Sequence, residues 1–179
     1  TACVAAFTAA ARVKMFFLCP FESLGIAMAT YVGQNYGAGK PERVWQGIKS
    51  STGMMLVYAV FTFAVLMLGA RQILYLFVDP SETEILKDAI LYVHVTAVFF
   101  PLVGILCILR YSIQGAGFTN LAMFSGVAEM IARTVVSLFA VPVWGYMAVC
   151  FGDSTAWLAA DLFLVPAFYY VYKKIKQIK

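Results

Sequence analysis

Five apolar stretches, each of roughly membrane-crossing length, constrain this chain more than any other feature. They cover about residues 9–32, 53–78, 85–112, 120–146 and 155–172. A helix needs about 20 apolar residues to cross the hydrocarbon core of a bilayer. A soluble domain must clothe its surface in polar groups, and about a quarter of its residues are charged. Here 63% of the 179 residues are hydrophobic and 12% are charged, too few to cover such a surface. A soluble enzyme, a disordered tail and a nucleic-acid-binding domain are excluded, and the net charge of +4 is too small for a polyanion-binding face. The sequence predicts an all-α integral membrane protein: one domain over residues 1–179, a polytopic bundle of five transmembrane helices in the lipid bilayer.

The punctuation between the runs has its own chemistry. Gly33-Gln34-Asn35-Tyr36-Gly37-Ala38-Gly39-Lys40-Pro41 stops the first helix, because glycine supplies a left-handed cap and proline lacks an N–H. Gln114-Gly115-Ala116-Gly117 ends the third in the same way, so the two segments share stop chemistry rather than forming a repeat. Ser81 with Glu84 reads as a capping box opening the third helix. Thr119 or Asn120 is the expected cap of the fourth, and the fifth is expected to start after Gly152-Asp153-Ser154. Cys3, Cys19, Cys107 and Cys150 lack metal-ligand spacing and read as small apolar residues. Nothing at the start reads as a signal peptide, so none is expected, and a start at Thr1 without an initiator Met leads us to expect a piece of a longer chain.

Basic residues set the expected orientation. With the loop after the first run in the cytoplasm, that side holds Lys40, Arg43, Lys49, Arg110, Lys173, Lys174, Lys176 and Lys179 and one acid, Glu42. The opposite side holds Arg12, Lys14, Arg71 and Lys87 with Asp79, Glu82, Glu84, Asp88 and Asp153. The carboxyl terminus is then cytoplasmic.

Charges inside the apolar runs are the candidate functional residues, since each costs about 2.5–3.5 kcal/mol to place at the bilayer centre. Glu129 and Arg133 are four apart and share a helix face, so they are expected to pair. The pair reads either as a structural clamp reaching a neighbouring helix or as an ion or proton relay. Glu22 shares a lane with Gly25, Ala29 and Gly33 and follows Pro20, a candidate hinge. It reads either as a cavity-lining carboxylate for a cation or proton, or as a protonated acid bonded across a helix contact. Asp161 shares a stripe with Trp157, Val165 and Phe168, which suits either a greasy cation or plain packing. His94, the only histidine, reads as structural and within reach of interfacial water. Pro101 and Gly104 are candidate hinges in the third helix.

Gly37-Ala38-Gly39-Lys40 is no phosphate loop, because Pro41 stands where Ser or Thr is needed and no strand precedes it. No metal site and no nucleophile–base pair is present, so the reading is not an enzyme and calls for no cofactor. The basic tail reads as a positive-inside anchor, not a nucleic-acid contact.

Pro20-Phe21-Glu22-Ser23-Leu24-Gly25-Ile26-Ala27-Met28-Ala29-Thr30-Tyr31-Val32-Gly33-Gln34-Asn35-Tyr36-Gly37-Ala38-Gly39-Lys40 resembles the signature near the start of the second half of MATE (multidrug and toxic compound extrusion) transporters. Arg110 to Gly117, the Glu129/Arg133 pair and Ala156-Trp157 onward resemble later signatures of that family, in order. The resemblance implies helices eight to twelve of a twelve-helix transporter with two six-helix lobes, exchanging organic cations for Na⁺ or H⁺. It implies a partner in the amino-terminal lobe, a cytoplasmic carboxyl terminus and a bacterial plasma membrane. Some members carry a cation-binding Asp in the helix matching the third run. Here that region reads Pro101-Leu102-Val103-Gly104-Ile105 without a carboxylate, so coupling falls to Glu129, Glu22 or the amino-terminal lobe.

Three functions are weighed. The first is a lobe of a cation-coupled multidrug antiporter exporting amphipathic, cationic compounds by alternating access. The second is a lipid-linked-oligosaccharide flippase of the same wider superfamily, which needs a cationic groove for pyrophosphate, and Arg133 is the one buried base expected. The third is a non-transporting membrane module or an intramembrane enzyme.

Overall fold

The computed structural model describes residues 2–177 and is helical almost throughout. Helix α1 runs Ala2–Gly37 and α2 runs Pro41–Leu74. Their connection is a Schellman turn: Gly39 sits at φ +65°, its N–H donates to the Tyr36 carbonyl, and the Lys40 N–H donates to the Asn35 carbonyl. Pro41, at the first position of α2, needs no donor there. This helix begins twelve residues before the expected 53, because residues 41–52 are polar but still helical. Apolarity marks where a helix enters lipid, not where it starts.

After α2 the chain turns through residues 75–82. The expected Ser81–Glu84 capping box does not form. Instead Asp79 Oδ1 accepts from the Ser81 N–H at 2.9 Å and the Ser81 hydroxyl at 2.6 Å, which holds the Asp79 carboxyl below its usual range. The short side chain of Asp79 closes its own turn before Ser81 can reach forward.

The expected third helix is two. Helices α3 (Thr83–Val98) and α4 (Phe100–Gly115) meet at Phe99 with a bend of 52°. Pro101 is the cause: it has no N–H for the Ala97 carbonyl, and its ring would strike that carbonyl in a straight helix. Of the candidate hinges, Pro101 therefore marks a bend. Gly104 instead gives room to Met55 and Phe21, which pack where its side chain would be. Pro20 breaks nothing, since α1 is continuous through it.

Helix α4 ends in a second Schellman turn, with Gly117 at φ +86°, its N–H donating to Gln114 and that of Phe118 to Ile113. The two glycine-rich segments are thus the same stop motif used twice. Helix α5 (Thr119–Val135) follows without a side-chain cap from Thr119 or Asn120. A π-helical turn, Val136–Ala140, joins it to α6 (Val141–Trp144), so one span covers residues 119–144. Pro142 cannot donate to the carbonyl four residues back, and the widened turn precedes it. Gly145, at φ +58°, reverses the chain into α7 (Tyr146–Lys176). The expected start after Ser154 is corrected: Gly152, Asp153 and Ser154 lie within α7, where Asp153 finds interior partners.

Among the described residues four helical stretches are long and apolar enough to cross a membrane, and the bent α3–α4 pair is a fifth where it counts as one span. Helix α1 packs against α2, α3 and α4, while α5 lies on α7. Small residues let α1 and α4 approach closely: a Cβ on Gly115 would collide with the Ala29 carbonyl, and one on Gly33 would lie 3.1 Å from the Gly115 carbonyl. Phe21 stacks edge-on against Tyr58 and Phe100 at the bundle centre. Leu68, Val143 and Leu162 point outward, as lipid permits.

Candidate functional site

Polar side chains inside this bundle have converged into one connected ladder. At its α1 end, the Lys14 ammonium pairs with Asp153 Oδ2 and donates to the Tyr92 hydroxyl at 2.9 Å. Tyr92 donates to the same Asp153 oxygen at 2.6 Å. The Lys14 and Asp153 side chains are only 14% and 16% exposed. The other Asp153 oxygen lies 3.2 Å from the Arg133 guanidinium, which also stands 3.6 Å from Glu129 Oε2. Glu129 Oε1 accepts from Arg110, whose Nε–H donates to Ser125 Oγ at 2.9 Å. The series runs from α1 through α7 and α5 to α4, with Tyr92 of α3 beside it. Each member is one charge that lipid would otherwise penalise.

Two sequence expectations change here. The sequence predicts Lys14 and Asp153 on the outer side, and the structure makes them interior partners. Asp153 escaped notice because Gly-Asp-Ser reads as a loop, and its partners lie 61 and 139 residues away. The Glu129–Arg133 pair exists, but Arg110 is the closer partner of Glu129. Arg133 is half-exposed and lines an open groove of about 420 Å³ with Gly126, Met130, Thr134 and Ser137.

Asp161 stands apart from the ladder. It is 7% exposed, and neither carboxylate oxygen has a hydrogen-bond partner among the described residues. Trp157 and Phe168 are buried with it, but Val165 of the expected stripe points outward. So enclosed an acid offers a bulky cation no approach. Glu22 is exposed on α1 and takes no part in the ion pairs. Its lane partner Gly25 faces the Tyr111 ring instead. His94 is half-buried, and its Nε2 has no hydrogen-bond partner among the described residues. Cys107 and Cys150 are buried free thiols, and Cys3 and Cys19 are exposed ones. No three His, Cys, Asp or Glu side chains converge as a metal site among the described residues.

The sequence profile of the MatE family matches residues 1–139, more than three quarters of the chain. The chain belongs to the MATE family of membrane transporters. This MATE chain is 33% identical over 89 residues to the FAD transporter of Shewanella oneidensis; the match covers 49% of the chain and 20% of that relative. Among solved structures it is similar to one described as the inward-facing conformation of a multidrug resistance MATE family transporter of the MOP superfamily. The TM-score is 0.78 at 20% identity, over 96% of this chain and 39% of that one. The MATE chain thus spans about a fifth of the curated relative and under half of the solved transporter.

Proposed function

We propose that this chain is part of a Na⁺- or H⁺-coupled exporter of amphipathic compounds, working by alternating access against a second lobe. In this reading it resides in a bacterial plasma membrane with its carboxyl terminus in the cytoplasm. The observation that carries it is the ladder from Lys14 to Arg110. An interhelical network of ion pairs with two alternative partners for Glu129 and for Asp153 offers discrete arrangements between which a rocking bundle can switch. A purely structural clamp needs no such redundancy.

The test uses the full-length protein in proteoliposomes, with ethidium as the cationic probe. Efflux driven by a Na⁺ or H⁺ gradient is the expected result. Glu129→Gln or Asp161→Asn is expected to lower it at least tenfold, with Glu22→Gln as the third variant. Unchanged efflux in all three would remove this segment from ion coupling.

A second reading of the cargo is favoured by a charge count. Lys14, Arg110 and Arg133 face only Asp153 and Glu129 in the ladder, leaving one positive charge in surplus. The sequence predicts Arg133 as the one buried base; in the structure Lys14 and Arg110 are the enclosed bases and Arg133 is half-exposed. A phosphate- or pyrophosphate-bearing cargo, either a flavin dinucleotide as named for the relative or a lipid-linked sugar, suits that surplus and the exposed guanidinium of Arg133. FAD competing with ethidium in the same vesicles, and Arg133→Gln abolishing the competition, is the outcome that selects it.

A further inference from the structure

Asp161 and Arg110 are both committed to the interior, yet only Arg110 has partners. Asp161 lies on α7 and Arg110 on α4, two helices in direct contact. The charged groups whose fields reach Asp161 are Arg110 of α4 and Glu129 of α5, with the Cys107 thiol of α4 also near; α2 and α3 contribute no charged group. A buried carboxylate without a single donor is far costlier than a carboxylic acid. A sodium ion there would need several more oxygen ligands, and no acidic cluster supplies them among the described residues. A proton needs no ligand cage.

We propose that Asp161 is a proton-binding site whose ionisation draws Arg110 away from Glu129. The inference rests on the exporter reading and selects H⁺ as the ion exchanged at this site. In the protonated state Asp161 is neutral and Arg110 is held by Glu129 and Ser125. When the proton passes to water admitted to the bundle, the new carboxylate attracts Arg110. The Arg110–Glu129 contact breaks and an Arg110–Asp161 contact forms. Glu129 then keeps Arg133, already 3.6 Å away, while Asp153 keeps Lys14 and Tyr92. None of the cluster's carboxylates, Asp153, Glu129 and Asp161, is left ionised without a partner in either state. One proton also changes the charge of the whole cluster: three bases face two carboxylates before it leaves and three after.

Infrared difference spectroscopy on the purified full-length protein tests this as pH is raised. Wild type is expected to lose a carboxylic acid C=O band that is missing in Asp161→Asn and present in Glu129→Gln. Saturating Na⁺ should leave its midpoint unmoved. Glu129→Gln frees Arg110, so the midpoint should fall by about one pH unit, tenfold in proton affinity. In an Arg110→Gln background that shift should shrink to less than half, which separates exchange of Arg110 from simple removal of a negative charge. A band that survives Asp161→Asn overturns the proton site, and an undiminished shift in the Arg110→Gln background overturns the exchange. Gradient-driven efflux persisting alongside either result would leave the exporter reading standing while ending this one.

Discussion

Asp153→Ala in the full-length protein is expected to cost about 3–5 kcal/mol of stability, the penalty for removing one partner of a buried ion pair. Three groups lose their anion at once. The Lys14 ammonium is left facing Tyr92 alone, the Tyr92 hydroxyl loses its acceptor, and Arg133 retains only Glu129. The loss is mostly the cost of the stranded ammonium, so adding Lys14→Met should restore more than half of it. Unfolding in mixed detergent–denaturant solution measures both variants. A single variant within about 1 kcal/mol of wild type would show the pair to be solvated in the membrane.

Gly115→Val should be as severe for a different reason. The added side chain meets the Ala29 carbonyl, a backbone atom that cannot rotate away. Helices α1 and α4 must separate along their whole contact, and α1 is the element against which α2 and α3 also pack. Overpacking in a well-filled core costs about 1–3 kcal/mol and more where backbone must shift; we expect the upper end, seen as loss of monodisperse protein after purification. Gly126→Ala is the control, since nothing lies within 4 Å of its missing Cβ. It should hold or slightly raise the melting temperature through helix propensity.

The architecture was legible because lipid makes the code coarse. Apolar length finds a span, and glycine clusters find its end, as both Schellman turns illustrate. Where local signals competed, the reading failed. Residues 41–52 are polar helix, and hydropathy cannot distinguish polar helix from loop. Gly152-Asp153-Ser154 has loop chemistry but is held helical by Lys14 and Tyr92, contacts that no local window contains. Pro101 gave the bend because its missing N–H acts locally, whereas Pro20 sits in a helix that accommodates it. The candidate site was half visible: charges in apolar runs named Glu129, Arg133 and Asp161. Lys14, Arg110 and Asp153 were hidden because they lie near the ends of runs, where a charge normally snorkels to water.

The shallow burial of α5 sets what a swing of that helix would cost within this chain. It buries only Ala122 and Ser125, both in its first two turns, and neither the π turn nor α6 buries any residue. Its far half is moored to α7 in part by the contact between Arg133 and Asp153. A tilt about the Ala122–Ser125 pivot would therefore uncover few fully buried side chains, and its main toll would be the release of both ion pairs that tie α5 to its neighbours, Glu129 with Arg110 and Arg133 with Asp153.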